Sequence, residues 1–169
     1  MRNLALLLVP LLTGLSTVAV ADDFGTSIDM NAKGGATYYV PAQIGGLGAV
    51  ELMVDTGSGY MTINEDILET LRTSGQVRFL RNLRGRLANG SELNVPVYLI
   101  ESVSIGNACW LRDVEAAVFP GKTRPILGLN VLQRAAPFIF SFEPPRLVLS
   151  NCDSATPTNT ADLAALQVE

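Results

Sequence analysis

One segment of the sequence combines residue types and a spacing that suit acid–base chemistry. The apolar residues 52–54 lead into Asp55, which is followed by Thr56, Gly57 and Ser58. Because Gly57 has no Cβ, backbone amides can approach the Asp55 carboxylate, and hydrogen bonds from those amides favour its ionised form. The hydroxyl of Ser58 can add another such bond. The segment therefore predicts a rigidly held carboxylate; the alternative is a plain strand-ending turn with an Asx hydrogen bond.

The composition excludes most other catalytic chemistries. The 169 residues include no His and two Cys. Without His there is no Ser-His-Asp or Cys-His nucleophile system, no imidazole acid or base and no His-ligated metal. Two Cys cannot build a four-thiolate zinc site. Any chemistry must therefore use carboxylates, Lys, Tyr or backbone groups, and we expect neither a metal nor a cofactor.

The elements around this segment predict an all-β, closed, barrel-like domain with one or two short helices. Alternating apolar residues and Gly- or Pro-containing turns are typical of strands. The predicted strands cover residues 37–44, 49–54, 60–63, 95–105, 109–119, 138–142 and 147–150. Many short strands with few helices indicate a closed β domain.

Two helices and one hairpin are predicted between these strands. Asn64 is a suitable N-cap for a short helix, and the acidic residues 65 and 66 fall in its first turn, where the helix dipole favours them. A second short helix is predicted over residues 129–135. The pair Asn89 and Gly90 tolerates the positive φ that a tight two-residue turn needs, so a projecting hairpin is predicted around it.

The first residues have the pattern of a secretory signal. Arg2 precedes an apolar stretch over residues 4–20, and residues 19–21 form an A-x-A cleavage site. We expect residues 1–21 to be removed, which would leave the protein in the periplasm or outside the cell without stable membrane insertion. The alternative is an uncleaved membrane anchor, since the stretch is close to the shortest length that spans a bilayer.

The remaining chain is predicted to contain a polar lead over residues 22–36, the folded domain over residues 37–150 and a flexible tail over residues 151–169. Loss of residues 1–21 removes Arg2 and no acid, so the net charge would change from −4 to −5. An acidic domain offers no electrostatic footprint for nucleic acid. The local arginine cluster is expected to be a solvated loop face; its members are Arg78, Arg81, Arg84 and Arg86.

The two cysteines are candidates for a disulfide. In an oxidising compartment Cys109 and Cys152 could pair and close a loop of roughly forty residues, which would contribute on the order of 3 to 4 kcal/mol. The alternative is two buried free thiols.

The ordered set of elements resembles the retropepsin-like aspartic proteases, specifically their small bacterial exported members that fold as single pepsin-type lobes. The resemblance spans about residues 37–150. It rests on the strand into the Asp55 turn, the helix from Asn64, the hairpin, the apolar-apolar-Gly element at residues 126–128 with its helix, and a closing strand pair. Ser58 stands where the retroviral members commonly have Ala, and the chain is longer at both ends.

This resemblance implies roles for individual residues. It implies that Asp55 is the catalytic aspartate and that Thr56 stabilises the meeting of two active-site loops, with Gly57 and Ser58 supporting the loop. The residues implied to form a flap over the substrate are Leu87, Ala88, Asn89 and Gly90. The residues that would line a substrate pocket or belong to the core are Ile126, Leu127 and Gly128.

The implied mechanism needs two carboxylates that share one proton, because like charges about 3 Å apart cannot both ionise. The chain holds one such motif, since Asp153 lacks both the glycine and the apolar lead. The second carboxylate would therefore come from another copy, in a homodimer with its site on the twofold axis. The two pKa values measured for such a site would belong to the pair of carboxyl groups and not to either Asp55 alone. Polypeptide substrates would bind extended in the cleft.

Two other functions are open at this point. A catalytically silent periplasmic module on the same fold could bind extended peptides or act as an adaptor, and a β-barrel could bind small ligands. The intact turn at Asp55 favours the enzyme, because a binding module has no need of an ionisable group in a glycine-tight turn. The small-ligand binder does not account for the ordered set of elements.

Overall fold

The computed structural model describes residues 25–86 and 90–153. In this part of the chain there are eleven strands and two helices, and neither helix is long and apolar enough to cross a bilayer. The strands are β1 Thr26–Asp29, β2 Asn31–Lys33, β3 Thr37–Ile44, β4 Val50–Val54, β5 Met61–Asn64, β6 Val77–Arg86, β7 Glu92–Ile105, β8 Cys109–Phe119, β9 Ile126–Leu127, β10 Phe138–Phe142 and β11 Pro145–Leu149. The helices are α1 Glu65–Thr73 and α2 Leu129–Arg134.

Eight strands form one sheet that closes on itself. Its order is β2-β3-β4-β9-β5-β8-β7-β6, and β3 also pairs with β7, where Ala42 lies opposite Ile105 and Ile44 opposite Val103. The strands from β3 to β7 thereby form a ring, and β2 and β6 extend it at its margins. The predicted all-β, barrel-like fold is confirmed.

The predicted hairpin is formed by β6 and β7. Their antiparallel register runs from Val77 opposite Ile100 to Arg86 opposite Glu92. Gly90 has a φ of 83°, the positive value that the turn prediction requires. Leu87, Ala88 and Asn89 lie outside the described residues.

A second sheet joins the two ends of the described chain. Its order is β1-β11-β10, and all pairs are antiparallel. The prediction that the first strand begins at Thr37 is wrong, because β1 and β2 precede it. Ile28 is the one buried residue of β1 and β2 has none, so both are too short and polar to give a period-two signal.

The main apolar core lies on one face of the ring. It includes fully buried side chains from the strands, such as Val40 and Leu52, and it is covered by Leu71 of α1, Leu132 of α2 and Leu147 of β11. Each such side chain contributes about 1.5–3 kcal/mol by leaving water.

Helix α1 begins where the sequence predicts. The Asn64 side chain accepts a hydrogen bond from the Ile67 amide at 2.9 Å, and acidic residues 65 and 66 occupy the first turn. The cap satisfies one of the free amides at the helix start. Leu68 and Leu71 are buried against the core, so the helix packs on the ring through its apolar face.

The predicted disulfide between Cys109 and Cys152 is present. It ties the start of β8 to the residues that follow β11. Beside it, Trp110 and Asp153 exchange two backbone hydrogen bonds of 3.2 Å. The first residues of the segment predicted as a flexible tail are therefore attached to the domain, and residues 154–169 lie outside the described part.

Candidate active site

Asp55 follows directly on β4 and is held by backbone hydrogen bonds. Its amide donates to the Leu127 carbonyl at 3.1 Å, which continues the pairing of β4 with β9. The Gly57 amide donates to Asp55 Oδ1 at 2.8 Å, as the sequence predicts. A Cβ at residue 57 would lie 3.1 Å from the same oxygen, so glycine gives the tightest fit of backbone to carboxylate. These bonds fix the direction of the carboxylate.

Ser58 supports the turn in a different way from the predicted one. Its hydroxyl donates to the Tyr60 carbonyl at 2.7 Å, so the predicted hydrogen bond from Ser58 to the Asp55 carboxylate is wrong. A hydroxyl has one hydrogen to donate, and a carbonyl two residues away is a common local acceptor. Asp55 is half-buried and Thr56 is exposed, so the turn presents its carboxylate and Thr56 at the surface of the chain.

The start of α2 locks the turn in place. The Leu129 amide donates to the Ser58 carbonyl at 2.8 Å, and the Asn130 amide donates to the Gly59 carbonyl at 3.2 Å. The Asn130 side chain accepts from the Met61 amide at 2.6 Å and donates to a carbonyl of β8 at 2.8 Å. Asn130 therefore joins the Asp55 turn, α2 and β8 through both ends of its amide.

Gly128 allows this close approach. Its backbone is extended, with φ −95° and ψ 178°, which any residue can adopt. A Cβ at this position would, however, lie 2.2 Å from the Tyr60 carbonyl oxygen. The glycine of the apolar-apolar-Gly element is thus required by the contact of α2 with the Asp55 turn.

A row of side chains crosses the ring beside Asp55, and we call it the cleft row. Directly opposed residues of neighbouring strands point to the same face of a sheet. From β4 to β6 the opposed residues are Met53, Ile126, Thr62, Ala117, Val97 and Arg81. Their strand neighbours Leu52, Leu127 and Ile63 lie in the main core, so the cleft row faces the other way. Asp55 is two residues beyond Met53, and strand periodicity puts both on that face.

The cleft row is open near Asp55 and covered towards the hairpin. Met53 and Ile126 are half-buried, whereas Val97 and Ala117 are buried and belong to a second apolar cluster. That cluster is completed by Tyr60, Leu80, Leu83, Leu93, Val95 and Phe119. Thr62, in the middle of the row, is 5% exposed, and its hydroxyl has no hydrogen-bond partner among the described residues.

Arg81 ends the cleft row in a charged contact. Its guanidinium donates to the two Glu115 carboxylate oxygens at 3.2 and 2.6 Å, and to the Tyr60 hydroxyl at 3.1 Å. The hydrogen bond from Arg81 lowers the pKa of Glu115, and partial burial opposes the shift. The same bond raises the pKa of Arg81. Both side chains therefore stay charged in mild acid.

The arginine cluster is not the loop face that the sequence analysis expected. All four arginines lie on β6, a strand at the margin of the sheet. Arg84 and Arg86 form ion pairs with Glu92 across the hairpin. Successive residues of a strand point to opposite faces, and the pairing with β7 distributes these charges over both faces of the hairpin.

Comparison with known proteins identifies the family. Residues 40–134, more than half of the chain, match the family described as "gag-polyprotein putative aspartyl protease". The chain belongs to the retropepsin-like aspartic protease family. The chain matches no curated protein sequence.

The chain also resembles solved structures, and two of them illustrate the likeness. A retropepsin-like aspartic protease from Rickettsia conorii is 20% identical, with a TM-score of 0.51, and the alignment covers 73% of this chain and 86% of that one. The retroviral protease-like domain of Ddi1 from Leishmania major is 21% identical, with a TM-score of 0.48 and coverage of 67% and 87%. The first of these likenesses supports the retropepsin-like fold.

The fold brings most of the predicted site residues of this retropepsin-like chain together. The Asp55 turn and residues 126–128 meet through the parallel pairing of β4 and β9. Leu127 is fully buried in the main core, whereas Ile126 lies on the cleft row. Gly90 is the one flap residue within the described part. The disulfide belongs to the opposite end of β8 from the residues that pair with β5.

Sequence reasoning missed several residues of this site. Asn130 is a polar residue in an otherwise apolar helix start, which is a usable signal. Tyr60, Arg81 and Glu115 are far apart in sequence, and their contact depends on the register of β6, β7 and β8, so no local pattern indicates it.

A groove of about 590 Å³ lies elsewhere, between α1 and β7. It is lined by apolar side chains such as Leu68 and Tyr98 together with Glu65 and Glu69, and by no residue of the Asp55 turn. Within residues 25–86 and 90–153, no three acidic or thiol side chains come together as a metal site.

Proposed function

We propose that this retropepsin-like chain is an exported aspartic endopeptidase that hydrolyses peptide bonds as a homodimer. One observation carries the proposal: the Asp55 carboxylate is aimed by the Gly57 amide in a turn that β9 and α2 lock from behind. A rigid carboxylate at the surface, beside an open apolar row, suits a group that must meet both a partner and a substrate.

The dimer follows from the chemistry. Water activation by carboxylates needs one ionised and one protonated group sharing a proton, and the chain offers one Asp-Thr-Gly turn. Thr56 is exposed beside Asp55, where the family resemblance puts it against its counterpart. The three-stranded sheet supplies a further apolar surface for a second copy, since Ile139 is 46% exposed and lies opposite Val148 on the outward face.

In the proposed reaction the ionised Asp55 removes a proton from a water molecule, and the water oxygen attacks the peptide carbonyl carbon. The protonated Asp55 of the second copy donates its proton to the carbonyl oxygen. As the tetrahedral intermediate collapses, one of its hydroxyl groups returns its proton to Asp55 of the second copy, the C–N bond breaks, and the amine leaves with the proton that the first Asp55 took from water. An extended peptide would lie along the open part of the cleft row, with alternate side chains towards Met53 and Ile126.

Export is part of the proposal. It is supported by the apolar stretch and A-x-A site of residues 1–21 and by the disulfide, which is typical of oxidising compartments. N-terminal sequencing of the protein recovered from the periplasm or medium should begin at Asp22. Recovery of the full-length chain with membranes would contradict cleavage.

The catalytic role is tested by Asp55→Asn. The wild type should cleave a mixed peptide library best at mildly acidic pH, and Asp55→Asn should fold and dimerise but cleave nothing. Asp113→Asn is the matched control, because Asp113 is exposed with φ 51°, a conformation that Asn accepts readily. Cleavage by Asp55→Asn at the wild-type rate would exclude the mechanism. A dimer that cleaves nothing across acidic and neutral pH would favour the silent binding module.

Subunit mixing tests the shared site. If both copies contribute Asp55, one Asp55→Asn subunit inactivates the whole dimer. Random mixing with an equal amount of wild type should then lower activity to about one quarter rather than one half of the pure wild type. A linear fall to one half would show that each subunit works alone.

A further inference from the structure

Three parts of the chain meet at Arg81. Its guanidinium contacts Glu115 of β8 with a two-point fork and contacts Tyr60, two residues beyond Ser58, with a further hydrogen bond. Arg81 itself lies on β6, the outer strand of the hairpin. We call the Arg81, Glu115 and Tyr60 side chains the clasp.

A β-bulge puts Arg81 in this position. Phe79 lies opposite Tyr98, and a regular register would next place Leu80 opposite Val97. Instead Arg81 lies opposite Val97, because the register shifts between Phe79 and Arg81. A one-residue shift changes the face to which every following side chain points. Without the bulge Arg81 would lie opposite Pro96 and on the wrong face to reach Tyr60.

Apart from the clasp, β6 meets the ring at this level through the apolar side chains of Leu80 and Leu83, which pack in the second cluster with Tyr60, Ala117 and Phe119. β6 is a margin strand whose one partner strand is β7. The part of β7 from Glu92 to Pro96 pairs with β6 and not with β8, whose pairing begins at Val97. The clasp therefore sits at the root of the segment that leaves the ring, and it connects that root to the loop carrying Asp55.

We propose that Arg81 is a positioning residue that, through the clasp, holds the root of the β6–β7 hairpin against the loop that carries Asp55, the state we call closed, and thereby sets the affinity for peptide substrate; this inference rests on the proposed function. An exposed ion pair adds little to global stability, but a forked contact at the root of a hairpin biases a local opening. Apparent affinity falls in proportion to the closed fraction.

The test is Arg81→Gln, read by amide hydrogen exchange and by peptide cleavage. Exchange of the β6 and β7 amides in the free protein should rise about fivefold or more, with exchange in β4 and β5 unchanged. KM for a peptide substrate should rise by the factor by which the closed fraction falls, and kcat should stay within about twofold. Tyr60→Phe removes one hydrogen bond and should give a smaller change of the same kind.

Arg84→Gln is the matched control, because Arg84 lies on the same strand and pairs with Glu92 inside the hairpin. It should leave both readouts at wild-type values. Arg81→Lys keeps the positive charge but cannot make the two-point contact with Glu115. Its exchange rates and its KM should lie between those of the wild type and of Arg81→Gln.

Two results would overturn the clasp: exchange in Arg81→Gln that rises no more than in Arg84→Gln, or a rise spread evenly over all strands, which marks general destabilisation. A fall of the closed fraction, read from exchange, without a matching rise of KM would refute the effect on substrate affinity. Because exchange needs no turnover, a wild type that cleaves nothing would reject the protease while the clasp is still judged on exchange.

Discussion

Gly128→Ala offers a direct test of how the Asp55 turn is held. The backbone of residue 128 is extended, so alanine brings no conformational strain of its own. The added Cβ would lie 2.2 Å from the Tyr60 carbonyl oxygen, 2.3 Å from the Tyr60 carbonyl carbon and 2.9 Å from the Met61 amide nitrogen. All three neighbours are backbone atoms, so side-chain rotation cannot relieve the overlap.

The expected fall in the free energy of unfolding follows from the hydrogen bonds that the added methyl group would stretch. Relief requires α2 and the turn to separate by about 1 Å. That movement stretches the hydrogen bonds of Leu129 to Ser58, of Asn130 to Gly59 and of Met61 to the Asn130 side chain. At about 1 kcal/mol for each bond, the free energy of unfolding should fall by about 3 kcal/mol. Displacement of the turn should also remove most of the proposed peptide cleavage, because the proposed mechanism needs the two Asp55 carboxylates within hydrogen-bond distance of each other.

The assay is urea unfolding of both proteins at constant pH, with cleavage measured on the folded fraction. Gly48→Ala is the control, since a Cβ at residue 48 meets nothing within 4 Å and its backbone is not in the left-handed region. A Gly128→Ala protein within about 0.5 kcal/mol of the wild type, with full activity, would refute the reasoning.

Three further predictions follow from single contacts. Replacing Cys109 and Cys152 by Ser should lower the free energy of unfolding by about 4 kcal/mol, from the loop of separation 43; no change in the urea midpoint would contradict this. Thr62→Val should raise stability by about 1 kcal/mol, because it removes a buried hydroxyl without a partner in the described part of the chain; destabilisation would instead reveal a hydrogen bond. The lowered pKa of Glu115 stabilises the fold above its unfolded pKa, and this contribution is lost as pH falls through the folded pKa. The stability gap between wild type and Glu115→Gln should thus be constant above about pH 5 and close below about pH 4; a gap that persists in stronger acid would rule out Arg81 as its cause.

The parts that sequence predicted are those decided by neighbours along the chain. The turn at Asp55 depends on Gly57 two residues away, and the start of α1 depends on Asn64 and its own first turn. The disulfide was predicted from two things alone, the expected oxidising compartment and the length of the loop between the two cysteines. These features are encoded within short windows or by residue type, so a pattern can indicate them.

The parts that sequence missed are those decided by strand register and by competition between hydrogen-bond acceptors. The place of Arg81 depends on a bulge and on the pairing of three strands, and nothing near residue 81 encodes either. Ser58 had two acceptors within reach, and the geometry of the turn chose the Tyr60 carbonyl. β1 was missed because its pairing with β11 spans nearly the whole described chain.

Strand β7 belongs both to the hairpin and to the barrel, and this has a consequence for its two halves. One 14-residue strand, about 46 Å long, supports β6 up to Ile100 and closes the barrel with β3 from Val103. Residues 97–105 of this strand are held in the barrel by β8 and β3, whereas residues 92–96 pair with β6 alone among the described strands. Substitutions in residues 92–96 should therefore leave the packing of residues 97–105 and of the main core unchanged. For the proposed protease, this half of β7 is the place to alter substrate preference without disturbing the barrel.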